Sequence, residues 1–239
     1  MKSWLNVTAI LKNFFFLLIS LGSPLTALAQ TSKSSESTPT FQLSGDAKLT
    51  SHFVYRGLSY TDQDPGLNAG FYFNLGPQFK FGVAGSNVKF DDTHLWLMFR
   101  AVVKVDFSSD VIMNLYYNTN RFYKSDSRNG TTIGTKIDIY SFRLNFDMES
   151  NWEGTAEQAQ YLALSKTFAM PYDLSLLVSG GYTMQKSTSY TNYFDFKVAG
   201  LYKTRVAGTW ELGFTMLSNG GQFGDRGKPF VALSTQFEF

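Results

Sequence analysis

The chain has 239 residues, 17% of them aromatic and only 17% charged, where an ordinary globular chain carries about 25% charge. It has no cysteine and two histidines, His52 and His94, which excludes disulfides, thiolate metal sites and a cysteine nucleophile and leaves too few imidazoles for a metal cage. The 21 basic residues nearly balance the 19 acidic ones, so no basic face calls for a nucleic-acid partner.

The N-terminus reads as a secretory signal. Lys2 and Lys12 flank the apolar run from Phe14 to Gly22, and Ala27 to Ala29 has the small-x-small form of a cleavage site before Gln30. The apolar run is shorter than the roughly 20 residues a spanning helix needs. Removing residues 1–29 takes away two basic residues and no acids, which leaves 19 of each. Residues 30–40 are Ser/Thr-rich and polar, a leader without the apolar content to fold.

From Phe41 onward the apolar residues alternate, which is the period of a strand. The first strand is expected from Phe41 to Tyr55, with Leu43, Ala47, Leu49 and Phe53 on one face, and a polar loop from Arg56 to Gly66. Strands follow at 67–75 and 79–90. The next is the clearest: Leu95, Leu97, Phe99, Ala101, Val103, Val105 and Phe107 alternate with His94, Trp96, Met98, Arg100, Val102, Lys104 and Asp106. A fifth runs from Val111 to about Tyr123. Between Thr131 and Ser150 the apolar face changes phase, from Ile133, Ile137 and Ile139 on odd positions to Phe142, Leu144 and Phe146 on even ones. A phase change flips every side chain, so a turn or a bulge sits near Tyr140–Ser141. A turn is favoured because it puts all short connections on one side. Further strands are expected at 158–169, 173–185, 192–203 and 206–217, with a last one from Phe230.

The count predicts an all-β, antiparallel up-and-down transmembrane β-barrel over residues 41–239, of twelve strands with ten as the alternative. Short turns at one end and longer polar loops at the other fit an outer-membrane barrel, whose strand number is even. Aromatics near strand ends (Tyr172, Tyr202, Trp210, Phe237, Phe239) fit interfacial girdles. The face opposite the apolar one carries charge. Arg100, Lys104, Asp106, Lys136, Asp138, Arg143, Asp147, Asp195, Lys197 and Glu211 are the candidate pore-lining residues. Lys48, Lys80, Lys203, Asp46, Glu149 and Glu238 fall on the same face, for eight cations against eight anions. None can face lipid, where a midplane Arg or Lys costs about 2–4 kcal/mol. Such a lumen is either a mixed-charge channel or one closed by salt bridges.

The terminal strand from Val231 alternates to a final phenylalanine. It is expected to close the barrel against the first strand, and Phe237 and Phe239 resemble the signal read by the outer-membrane assembly machinery. That machinery and the surrounding lipids are the partners expected, beside a small solute of unknown identity. No cofactor or metal is expected. Asp62 and Asp64 of "TDQDPG" are too few oxygens for calcium, and "GGY" and "GDRG" open no helix that would hold phosphate. A lipid-modifying enzyme needs a Ser–His pair, and no nucleophile motif surrounds His94. A non-conducting structural or adhesive barrel is the other alternative to a channel.

The stretch Ser51 to Phe90 resembles the opening motif of the TorF-type porin family: S-x-Y-x-x-R-G-x-S, then a T-x-x-x-P loop, then a G-x-W-x-S-N-V strand. Ser51, Arg56, Gly57, Ser59, Thr61, Pro65, Gly82, Ser86, Asn87 and Val88 match, while Phe53 stands for the Tyr and Ala84 for the Trp. The resemblance implies an exported outer-membrane barrel with a pore for passive diffusion of small solutes, and no catalytic residues. From the residues alone, Arg56 is expected either to pair with Asp62 or Asp64 and pin the loop, or to stay solvated.

Overall fold

The computed structural model describes residues 41–239 except 91, 187 and 205–207. The signal segment 1–29 and the leader 30–40 lie outside the described residues. The strands are β1 (Phe41–Thr50), β2 (Val54–Tyr55), β3 (Leu58–Ser59), β4 (Gly66–Leu75), β5 (Phe79–Phe90), β6 (Thr93–Asp106), β7 (Val111–Phe122), β8 (Gly130–Ile139), β9 (Phe142–Glu149), β10 (Ala159–Ala169), β11 (Leu174–Gln185), β12 (Tyr193–Lys203), β13 (Thr209–Leu217) and β14 (Phe230–Glu238). All but β2 and β3 form one closed barrel of twelve strands, each paired with its chain neighbour and closed by β1 against β14. The β2–β3 pair stands apart as a two-stranded hairpin.

Strand polarity follows from the turns. Short connections at 76–78, 107–110, 140–141 and 170–173 share one end with Phe41 and Phe239. The longer segments 51–65, 123–129, 150–158 and 218–229 lie at the other. The phase change at Tyr140–Ser141 is a tight turn, with Ile139 opposite Phe142 and Tyr140 at φ 53°. A positive φ costs a non-glycine residue strain, but it lets β8 and β9 return on each other within two residues.

The barrel is built inside out relative to a soluble protein. Its outer face is apolar, with Leu43, Phe71, Phe99, Leu164, Leu212 and Val231 each more than half exposed. An apolar surface this continuous marks contact with something other than water, and a closed strand barrel is one of two folds that leave no backbone group unsatisfied in lipid. Exposed aromatics crowd the short-turn end: Phe41, Phe107, Tyr140, Tyr172, Tyr202, Trp210 and Phe239. Inside, tyrosine rings lie flat over cross-strand glycines. A Cβ on Gly134 would stand 2.5 Å from Tyr116 Cζ, and one on Gly82 2.8 Å from Tyr72 Cδ1. These glycines give the inward rings the room that a side chain would occupy.

One expectation fails at β1. The outward strand stops at Thr50, not Tyr55. The Thr50 hydroxyl donates to the His52 carbonyl at 2.6 Å, and the chain turns into the barrel. Phe53, expected on the lipid face, packs inward against Tyr60 and Trp96, with ring centroids 5.9 Å from each.

Closure at the other edge is as expected. Phe239 exchanges backbone hydrogen bonds with Gly45, at 2.7 and 3.0 Å, and its ring fills the hollow that Gly45 leaves beside Phe71. Phe239→Ser is expected to lower the folded, membrane-inserted fraction, measured as the heat-modifiable band on unboiled gels. Val103→Arg places a cation on the lipid face at a cost of about 2–4 kcal/mol and is expected to abolish that band, whereas Val102→Gln on the inner face leaves it.

Candidate functional site

The lumen divides into two halves. At the long-loop end it is filled by residues 51–65, which descend from the rim of β1 and return to β4. Their tip is the β2–β3 hairpin, turned at Arg56 and Gly57 with φ of 47° and 80°. Two positive φ values in a two-residue turn match the twist of the flanking strands. Gly57 is needed there for a second reason: a Cβ would lie 2.3 Å from Leu217 and 2.7 Å from Asp195 on the barrel wall. Leu58, Ser59 and Thr61 are wholly buried. Leu58 joins Tyr60, Trp96, Phe122, Trp152, Tyr193 and Leu217 in a core inside the barrel.

Arg56 is the centre of this half. It is 6% exposed and is not a solvated loop charge, nor does it pair with Asp62 or Asp64. Its guanidinium pairs with Asp147 at 3.2 Å and Glu149 at 3.0 Å, both on β9. The rings of Tyr55, Trp152 and Tyr161 surround it at 4.9, 5.1 and 4.9 Å. The Tyr116 hydroxyl and the Asn145 amide also donate to Asp147. Asp64 instead takes Lys89, at 2.8 Å on the exposed rim.

A second lock lies nearer the rim, at Glu153. Arg226 grips it with two nitrogens, at 2.8 and 3.1 Å, Arg128 adds a contact at 3.1 Å, and the Tyr60 hydroxyl donates at 2.8 Å. Arg226 Nε also donates to the Ser59 carbonyl at 3.1 Å. Segments 51–65, 123–129, 150–158 and 218–229 therefore meet on one carboxylate. Burial by itself would raise the Glu153 pKa, but Arg226 and Arg128 outweigh it and hold the carboxyl below its ordinary value of 4.5.

The short-turn half holds a cavity of about 880 Å³, whose lining includes Asp46, Tyr72, Lys80, Arg100, Tyr116 and Lys136. It reaches the ends of β8, β9 and β14 at Asp138, Arg143 and Glu238. A side chamber of about 430 Å³ shares Asp46, Arg100 and Lys136 and continues to Lys48, Lys197 and Glu211.

The residues expected inward from alternation do not form one group. Arg100, Lys136, Asp138 and Arg143 share the cavity. Asp147 and Asp195 belong to the hairpin's socket, where Asp195 accepts from the Tyr161 hydroxyl at 3.2 Å. Glu211 is held between Lys197 at 2.7 Å and Lys48 at 3.8 Å. Lys104 and Asp106 pair with each other at 2.9 Å near the mouth.

The residues that carry the family resemblance build and clamp the hairpin. Besides Arg56, Gly57 and Ser59, the Thr61 hydroxyl donates to the Asp64 carbonyl at 2.6 Å and accepts the Phe53 N–H at 3.0 Å. Asn87 accepts from the Leu67 N–H at 2.6 Å and donates to the Pro65 carbonyl at 2.9 Å, which ties the returning chain to β5. Ser86, also buried, donates to the Asn87 carbonyl at 2.9 Å. Sequence reasoning missed Tyr60, Arg128, Trp152, Glu153 and Arg226. The one signal was a tryptophan inside a polar loop, "SNWEGT", where no lipid or strand core accounts for it. The Ser–His contact that exists is Ser51 Oγ to His52 Nδ1 at 3.0 Å, but Ser51 also accepts the Leu233 N–H and the His52 ring stacks on Phe230.

Comparison with protein-family models returned no match, and neither did comparison with curated protein sequences. Among solved structures the chain is similar to a KdgM porin, with TM-score 0.53 at 9% identity over 82% of this chain and 98% of that one. It is also similar to a KdgM porin in complex with disordered oligogalacturonate, with TM-score 0.51 at 8% identity over 84% and 98%. At this identity the likeness is one of fold: a membrane-type barrel of comparable size.

Arg56→Ala leaves Asp147 and Glu149 buried without their cation, which costs about 3–5 kcal/mol. It is expected to loosen residues 51–65, seen as new proteolysis there and a red-shifted Trp emission, while the barrel band survives. Adding Asp147→Asn and Glu149→Gln to Arg56→Met removes the stranded charges and is expected to recover much of the loss. The Glu153 lock has a defined pH window. Its carboxyl is held below 4.5, so its contribution is complete above that value and is lost as pH falls through the depressed folded one. The stability difference between wild type and Glu153→Gln is expected to stay constant from neutral pH to about 4.5 and to vanish below it, by pH-resolved thermal melts.

Proposed function

We propose that this protein is an outer-membrane porin of the TorF type, a passive channel for small solutes in which residues 51–65 form an inward gate. The observation that carries this reading is the 880 Å³ charged cavity inside a barrel whose outside is apolar. A barrel that only anchored itself in lipid would gain nothing from a wide, charged hollow. The TorF assignment is supported by its motif residues, which converge on one device, the hairpin and its clamp to β5. The exported, outer-membrane location agrees with the signal-like N-terminus, the terminal phenylalanine and the fold shared with KdgM porins. One of those neighbours holds an oligogalacturonate; no residue correspondence carries that ligand to this lumen.

A second reading has its own observation. The long-loop half is packed, with Trp152, Tyr193 and Leu58 wholly buried, as a non-conducting structural barrel would be. Single-channel recording in planar bilayers separates the two. Wild-type protein is expected to show brief openings, and Arg56→Ala longer and larger ones, because the hairpin loses its anchor. Silence from both folded proteins would leave the structural barrel standing and remove the porin.

A further inference from the structure

We infer that the cavity holds a binding site for a small solute bearing carboxylate or phosphate oxyanions, formed by Arg100 and Lys136 at Tyr116 and by Lys80 at Tyr72. The inference deepens the porin reading by naming the solute class, and it rests on that reading for its physiological role.

The register assembles the site. Val102 of β6 lies opposite Tyr116 of β7, and Lys80 of β5 lies opposite Val102. Tyr116 in turn faces Gly134 of β8, which has no side chain to displace the ring. Arg100 is one inward step from Val102 along β6, and Lys136 one inward step from Gly134 along β8. Three cations from three strands thus line one cavity, two at the Tyr116 ring and Lys80 at the Tyr72 ring. Arg100 stands 5.3 Å and Lys136 5.6 Å from the Tyr116 centroid, and Lys80 3.9 Å from the Tyr72 centroid.

Charge bookkeeping singles these three out. Of the other inward cations of this half, Arg143 has Asp138, Lys104 has Asp106, and Lys48 and Lys197 share Glu211, while Lys203, the last residue of β12, is not part of the cavity lining. Among the described residues, Lys80, Arg100 and Lys136 form no ion pair. Arg100 donates only to the neutral Asn118 Oδ1, at 2.9 Å. Two of the nearby carboxylates are engaged elsewhere: Asp147 belongs to Arg56, Tyr116 and Asn145, and Asp138 to Arg143. Asp46 lines the same cavity and, among the described residues, forms no ion pair, so it offsets one of the three cations in part. Glu238 stands at the mouth, on β14. Cations gathered in a confined space repel one another more than they would in bulk water, and an oxyanion among them relieves that repulsion. Arg100 supplies a planar fork suited to carboxylate or phosphate, and the two lysines supply point charges. A solute with two anionic groups can engage more than one of these cations at once, which chloride cannot.

Equilibrium binding to the detergent-folded barrel tests this without requiring current. Isothermal titration uses succinate and inorganic phosphate as probes, with succinamide as the uncharged control and the heat-modifiable band as the check on folding. Succinate is expected to bind wild type and Lys166→Gln, a variant on the lipid face, equally. Arg100→Gln and Lys136→Gln are each expected to weaken it about tenfold, the worth of one charge-assisted hydrogen bond, and the double variant to abolish it. Equal binding of phosphate supports the oxyanion site and shows that the carbon skeleton is not read. No binding of either oxyanion to folded wild type overturns the inference, as does binding that survives in the double variant or is matched by succinamide. Binding without bilayer current would sink the porin reading and leave the site in place.

Discussion

Lipid offers no hydrogen-bond partner to a backbone amide, and the rest of this structure follows from that constraint. The strands must close on themselves, so β14 must find β1, and Phe239, just past β14, is bonded to Gly45. Closure then sorts the side chains by parity. One face of each strand meets hydrocarbon and is apolar, and the other meets the interior and carries the charge. The interior has a perimeter set by twelve strands, which is too wide for its own inward side chains to fill.

Two solutions to that surplus volume share the barrel. At the long-loop end the chain fills it with itself: a short hairpin brings a hydrophobic cluster, and one arginine, into a space lined by Asp147 and Glu149. A buried ion pair is poor evidence of stability, since its desolvation cost offsets much of the attraction. Its value here is positional, because only one placement of the hairpin satisfies both carboxylates while Gly57 clears Asp195 and Leu217. At the short-turn end the volume stays open, and charges that found no partner face it. The same strands therefore carry a rigid socket and a solvent-filled chamber within one length of barrel, with Arg100 and Lys136 at the boundary between them.

The charge balance read from the sequence, eight against eight, was correct as a count and misleading as a description. Pairing is local. Glu211 serves two lysines and Arg56 takes two carboxylates, while Lys80, Arg100 and Lys136 are left over on one stretch of wall. A lumen neutral in sum thus leaves cations without carboxylate partners on that stretch.

The strand count, the turn at Tyr140–Ser141 and the closure of the last strand on the first were legible in the sequence, because alternation is a local property that contact with lipid on one face enforces along the strands. The fate of Arg56 was not. Its nearest acids in the chain are Asp62 and Asp64, yet it pairs with Asp147, 91 residues away. Asp64 turns instead to Lys89. The same holds for Glu153, which joins arginines from segments 123–129 and 218–229. Alternation says which way a strand residue points, but it is silent once the chain leaves the sheet, as it does at Thr50. From there the path is chosen by what the closed barrel presents, an apolar and acidic socket that exists only after the strands from β9 to β12 stand side by side.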